Sequence, residues 1–239
     1  MQAQHPATAI VLAAGRGERM RPLTDTCPKP LLAVRGKPLM QWHLEALARG
    51  GCGHAVVNTA WLGAQIEQRF GPGLAEGPHI TYSHEGVDFG GALETAGGIA
   101  RALPALADCF WVVAGDVFMP GFEFPHEALE RFAAGSALAH LWLVPNPPHN
   151  PRGDFGLAAD GHALNAPAEG APRYTYSTVG LYRRALFDGL PAGNPQGLKA
   201  PLAPLLRAAM DNGRITAQRH DGPWTDVGTP ERLAQLNAP

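Results

Sequence analysis

The chain has 239 residues, 45% of them hydrophobic and 17% charged, with a formal net charge of -2. That length holds one large or two small domains with a substantial core, and we expect a single domain over 1–239. So even a charge balance argues against a polyanion-wrapping surface or a basic membrane patch, which leaves nucleic acid and membrane as unexpected partners.

The first predicted element is a strand over 8–12, a short β-branched run followed at once by a glycine-rich stretch, as in a buried parallel strand. The apolar run reaching residue 14 is too short to span a bilayer and no Lys or Arg precedes it, so no membrane segment or leader is expected. LAAGRGERMRP at 12–22 then crowds Gly15 and Gly17 together with Arg16, Arg19 and Arg21. Glycines let the backbone approach a ligand and turn N–H groups toward it, and arginines add charge-assisted bonds, so a polyphosphate is one natural guest. A plain tight turn with solvated arginines is the other reading. Two familiar phosphate loops are excluded: no GxxxxGK followed by Ser or Thr occurs, and GxGxxG fails at Met20.

Cys-Pro-Lys-Pro at 27–30 sets one of only three lysines between two prolines. We expect a stiff extended segment that fixes where Lys29 sits, for phosphate contact or simply as a structural turn. A helix is predicted over 38–49, opened by proline and closed by Gly50 and Gly51. A strand at 54–58, a helix at 62–70, a strand at 79–83, a helix at 95–103 and a strand at 109–113 follow. This alternation predicts an α/β fold, a Rossmann-like mostly parallel sheet flanked by helices. The three cysteines, Cys27, Cys52 and Cys109, are odd in number and show no CxxC spacing, which favours reduced thiols and a cytoplasmic setting.

LETAGG at 93–98 places two glycines at a helix start, where propensity disfavours them, so a ligand or another backbone is expected to approach closely. Glu94 there could accept an imide N–H from uracil or two N–H groups from guanine, or serve as a helix-start carboxylate favoured by the dipole. The strand at 109–113 runs into Gly115-Asp116. Strands are expected at 136–144, 177–182 and 215–219 and a helix at 202–212, with a hairpin or long loop in the proline-rich stretch 145–172. In WTDVGTPE at 224–231, Thr229 caps a helix, Pro230 opens it and Glu231 lies in its first turn, which leaves Asp226 unexplained. Asp116 and Asp226 together could hold one Mg2+, an ion satisfied by one or two carboxylates plus phosphate oxygens and water.

Taken in order, LAAGRGERMRPLT, PKPLL, LETAGG, GD and WTDVGT resemble the sugar-1-phosphate nucleotidyltransferases over nearly the whole chain. MRPLT, Trp61-Leu62, GDFGL at 153–157 and LAPLLR at 202–207 are similar to short bacterial members that uridylylate N-acetylmuramate 1-phosphate in cell-wall recycling. The resemblance implies in-line attack of a sugar phosphate on the α-phosphorus of an NTP, here UTP, with Mg2+ as cofactor. It implies that Arg19 holds the β and γ phosphates, that Lys29 bridges the α-phosphate and the incoming phosphate, and that Asp116 and Asp226 bind the metal. Leu12, Ala13, Ala14, Gly15 and Gly17 would cradle the nucleotide, with Glu94 and Gly97 near the base. Asn150, Phe155 and Gly156 would line the sugar pocket. Glu18 stands where many relatives have Thr, and the Glu-Lys-Pro stretch that grips the sugar phosphate is missing, which leaves Lys199 and Arg173 as candidates for that contact or for the acceptor's carboxylate. Relatives with an added β-helix domain continue well past residue 239, so no second activity of that kind is expected. Mannose or glucose 1-phosphate acceptors with other bases, and a non-catalytic sugar-nucleotide sensor, are the alternatives. A glycosyltransferase is disfavoured because Gly115-Asp116-Val117 lacks a second carboxylate.

Overall fold

The structure, a computed structural model, describes residues 7–238. The first strand, β1 (Ala7–Leu12), is buried on both faces, with Ala9 and Val11 in one core and Ile10 in the other. A strand so enclosed must be apolar throughout, which is why its sequence reads as a continuous run. A small ribbon of β2 (Ala33–Val34) and β3 (Lys37–Pro38) leads into α1 (Leu39–Arg49). Then β4 (Cys52–Thr59), α2 (Gly63–Phe70) and β5 (His79–His84) continue the alternation, followed by the short α3 (Glu85–Phe89) and α4 (Glu94–Ala102). Next in the chain are β6 (Cys109–Ala114), β7 (Val117–Phe118), α5 (His126–Ala134) and β8 (Ala139–Val144). The chain goes on through β9 (Phe155–Leu157), β10 (Ala163–Leu164), β11 (Arg173–Arg183), α6 (Leu202–Asp211), β12 (Ile215–Arg219), β13 (Thr225–Asp226) and α7 (Pro230–Asn237).

The central sheet runs β10-β9-β11-β6-β1-β4-β5, with β8 and β12 added beside β11. The β6-β1-β4-β5 block is parallel, as is the β8-β12 pair, while β11 runs antiparallel to both β6 and β8. After β1 the chain builds outward through β4 and β5 and then crosses back to place β6 on the other side of β1. That reversal opens a crevice beyond the carboxyl ends of β1 and β6, the place where open α/β sheets bind ligands.

The predicted strands and helices all form, and the proline-rich stretch contains the β9–β10 hairpin. Thr229 caps α7 by accepting from the Arg232 N–H. One local expectation is corrected. The 27–30 segment is not extended throughout, because Lys29–Leu31 closes into a 3-10 turn through Leu31 N–H to Pro28 O at 2.8 Å and Leu32 N–H to Lys29 O at 3.1 Å. Cys52 and Cys109 are buried free thiols whose pKa values burial pushes up to about 12 and about 11. No helix among the described residues is long and apolar enough to cross a membrane.

Candidate active site

A cavity of about 610 Å³ occupies the crevice. One wall is formed by Leu12, Ala14 and Gly15 from the end of β1, with Asn58, Glu85, Glu94 and Thr95 beside them. The other is formed by Asp154 and Phe155, by Tyr176 and Thr178 of β11, and by Leu202, Ala203, Leu206 and Arg207 of α6. Asp116 stands at the end of β6 between the two. Gly115 N–H donates to Leu12 O at 2.9 Å, which ties the turn before Asp116 to the opening loop.

Packing does not require glycine at 15, since a Cβ there would meet nothing within 4 Å. The open space on the cavity side leaves room for a ligand to approach the backbone. Gly17 has a different reason: its φ of 69° lies in the left-handed region, and Thr24 and Lys29 pack closely against it.

The three arginines of the loop separate into two kinds. The Arg16 guanidinium lies 3.7 Å from the centroid of the Trp61 ring and donates to Thr24 O and Asp25. Arg21 donates to the same Asp25 carboxylate at 2.7 Å, and the two guanidiniums hold the pKa of that carboxyl below its ordinary value. Arg19 is exposed and has no polar partner among the described residues. Two of the loop's three charges therefore brace the loop, and one points outward.

The Lys29 ammonium, almost fully buried, donates to Asp116 Oδ2 at 2.5 Å. The short ribbon β7–β13 brings the segment of Asp226 beside that of Asp116: Asp226 pairs with Val117, and Val227 N–H donates to Asp116 O at 3.0 Å. Trp224 Nε1 donates to Ser177 O at 2.9 Å and fixes the approach of that segment to β11. Asp226 Oδ2 accepts from Arg232, while Oδ1, buried, lies 2.7 Å from His149 Nε2 without hydrogen-bonding geometry. Among the described residues no group of three or more His, Cys, Asp or Glu side chains gathers as a metal cluster.

Two lining residues carry strained backbones. Glu94 has φ of 62° and Thr178 has φ of 65°, in the left-handed region that penalises side chains with a Cβ, most severely a β-branched one. Thr178 sits at the register shift of β11 between Tyr176 and Gly180, and its Oγ1 is buried without a hydrogen-bond partner. Such strain gathers at functional sites.

Gly97, Gly156, Lys199, Asn150 and Arg173, all expected near the ligand, do not line the cavity. Gly97 faces inward, where a Cβ would come 2.4 Å from Leu198 O, so the close approach there is made by the protein's own backbone. Gly156 packs against Pro167 inside the hairpin. Lys199 is exposed outside the cavity wall. Asn150 acts at one remove, since its amide donates to Asp154 Oδ1 and Thr175 Oγ1 at 3.1 Å each. Arg173 is engaged by Asp154 O and Asn165 O within the hairpin. Arg207, by contrast, lines the cavity with no polar partner among the described residues and closes the LAPLLR stretch, while Asn58 and Glu85, buried there, have no local sequence signal that would single them out.

A family model described as nucleotidyl transferase matches residues 8–239. The chain is 50% identical over 236 residues to the N-acetylmuramate alpha-1-phosphate uridylyltransferase of Neisseria meningitidis serogroup B, covering 96% of each chain. It is 32% identical over 248 residues to the protein of that name from Caulobacter vibrioides, covering 95% of this chain and 94% of the relative. Its fold matches that of a Bacillus anthracis protein described as a glucose-1-phosphate thymidylyltransferase, in complex with sucrose, with a TM-score of 0.77, 20% identity and coverage of 97% and 94%.

Proposed function

The chain belongs to the nucleotidyl transferase family, and from that premise we propose that it transfers UMP from UTP to N-acetylmuramate 1-phosphate, releasing pyrophosphate, as a step of peptidoglycan recycling. The observation that carries this reading is the cavity itself. A backbone cradle forms one wall, Asp116 lines the cavity with the buried Lys29 paired to it, and a second wall carries Arg207, which has no polar partner among the described residues. The base and the acceptor are supported by the 50% identity to the Neisseria relative.

In the reaction an oxygen of the sugar phosphate forms a bond to the α-phosphorus while the bond from that phosphorus to the pyrophosphate oxygen breaks, its electron pair leaving with pyrophosphate. No covalent enzyme intermediate is needed, so the protein contributes position and charge neutralisation. Backbone from residues 12–17 cradles the nucleotide, and Glu94 accepts the imide N–H of uracil. Arg19, without a polar partner among the described residues, takes the β and γ phosphates. Lys29 is held over the reacting centre by Asp116 and bridges the α-phosphate and the incoming phosphate. Arg207 faces the lactyl carboxylate that distinguishes a muramic acid from glucosamine, a charge suited to a planar guanidinium fork.

The acidic residues fit a magnesium ion. Asp226 Oδ1 is buried without a hydrogen-bond partner, and two carboxylates suffice for an ion that completes its shell with phosphate oxygens and water. Asp116 and Asp226 would hold it, and when bound it supplies positive charge to the triphosphate.

The reading is tested by pyrophosphate release with Mg2+ across UTP, dTTP, GTP and CTP, each paired with N-acetylmuramate, N-acetylglucosamine, glucose or mannose 1-phosphate. UTP with N-acetylmuramate 1-phosphate is expected to dominate. Silence from every pair, with UTP still raising the melting temperature, would make the protein a sensor rather than an enzyme.

A further inference from the structure

Two polar side chains of the nucleotide wall have no part in the reaction described above. Asn58 near the end of β4 is 3% exposed, and Glu85 at the start of α3 is completely buried. Glu85 Oε1 accepts from Asn58 Nδ2 at 2.7 Å, and Oε2 accepts from Leu93 N–H at 2.7 Å. Asn58 Oδ1 in turn accepts from Ala13 N–H at 2.8 Å. The result is an unbroken relay from the opening loop to the residue just before Glu94.

A carboxylate in the interior is costly unless its oxygens are bonded, and burial here pushes the Glu85 pKa up. The fold makes further room for it. A Cβ on Gly98 would come 2.5 Å from Glu85 Oε1 and 2.8 Å from Asn58 Nδ2, so the second glycine of LETAGG is explained by this pair. Purely structural packing could fill the same space with an apolar side chain at lower cost. The relay instead bridges two loops of one binding wall.

We propose that Asn58 and Glu85 are a positioning pair that sets the distance between the two ends of the nucleotide cradle. Asn58 holds the Ala13 N–H on the phosphate side, and Glu85 holds Leu93, and through it Glu94, on the base side. The inference rests on the cavity being a nucleotide site. In this assignment Glu85 acts on the nucleotide through Leu93 and Glu94, its two oxygens accepting from Asn58 Nδ2 and the Leu93 N–H.

The test exploits the polarity of the relay. Glu85→Gln brings an amide donor against either Asn58 Nδ2 or the Leu93 N–H, so one bond must fail. Adding Asn58→Asp reverses the pair: the new amide donates to the new carboxylate, and acceptors still face Leu93 N–H and Ala13 N–H. Glu85→Gln alone is expected to raise the KM for UTP about tenfold, the effect of one lost buried bond, and to leave the KM for the sugar 1-phosphate within about twofold. The double variant is expected to recover the UTP KM to within about threefold, a coupling that only interacting residues show. If the single variant fails to fold, the double variant alone decides by its UTP KM and by UTP binding in calorimetry. The proposal is overturned if the single variant lowers the melting temperature with both KM values unchanged. It is equally overturned if the double variant folds yet keeps a raised UTP KM, because the Glu85 carboxylate would then act on the nucleotide directly. A wild-type protein that neither binds nor turns over UTP would sink the underlying functional reading instead.

Discussion

On one wall of the cavity the groups facing a ligand are backbone atoms and short side chains from residues 12–15 and 93–95, each held from behind by buried partners such as Asn58 and Glu85. On the other they are side chains from a hairpin, an irregular strand and a helix, among them Arg207 and Thr178, which have no partners of their own among the described residues. The first wall is complete before a ligand arrives, as suits a shared chemistry. The second keeps unsatisfied groups, as suits a surface that distinguishes acceptors. Asp116 stands between them, paired with the buried Lys29.

If that centre serves both walls, disturbing it should abolish turnover whatever the substrates. Asp116→Asn is expected to lower kcat by about 10³, the scale of losing a preorganised charge in a closed site, and also to lower the melting temperature, because the almost fully buried Lys29 ammonium loses its counter-charge. A variant with near-wild-type kcat would remove Asp116 from the chemistry.

The rigidity of the same centre is open to a titration. His43 of α1 lies beneath it, with Nε2 at 2.8 Å from Val117 O, and burial holds its pKa down to about 4. The unfolded chain takes up this proton near pH 6.5, the folded chain only near pH 4. Stability is therefore full above pH 6.5 and falls as the pH drops toward 4, by about 3 kcal/mol in all. Urea unfolding across that window should show the decline, and His43→Asn should flatten it.

A sharper division lies within the opening loop. Arg19→Ala should cut kcat/KM for UTP by about 100-fold and leave the melting temperature alone, as expected for a charge that meets only ligand. Arg16→Ala should do the reverse in kind, lowering the melting temperature by several degrees through loss of the Trp61 stack and the Asp25 bond, with a smaller kinetic effect. Identical outcomes for the two would erase the distinction between bracing and binding arginines.

The smallest effects separate the walls most cleanly. Replacing a strained left-handed residue by glycine should stabilise the fold by about 0.5–1 kcal/mol at either Glu94 or Thr178. Glu94→Gly should raise only the KM for UTP, and Thr178→Gly only the KM for the sugar 1-phosphate. Crossed effects would mean that the two walls are not separate sites.

The framework was legible because it rests on local signals. The enclosed strand β1 is an unbroken apolar run, and α7 announces itself through Thr229 and Pro230. The site was legible only where chemistry and local motif coincide. Arg16 and Arg19 look alike as letters, and only Trp61 and Asp25, brought in by folding, make one a brace. Glu85 and Asn58 belong to no motif, since their meaning lies in contacts with Ala13 and Leu93. At Gly97 the two readings left open, a ligand or another backbone close by, look the same in the sequence, and only the fold brings Leu198 O there. Helix α5 was missed although Pro125 opens it and Ala128, Leu129 and Phe132 form its buried face.

The most direct measurement is to identify the products formed from UTP and N-acetylmuramate 1-phosphate, first in EDTA and then after Mg2+ is restored. The account predicts equimolar UDP-N-acetylmuramate and pyrophosphate with the metal and neither without it. Pyrophosphate without a nucleotide sugar, or equal product in EDTA, would contradict it.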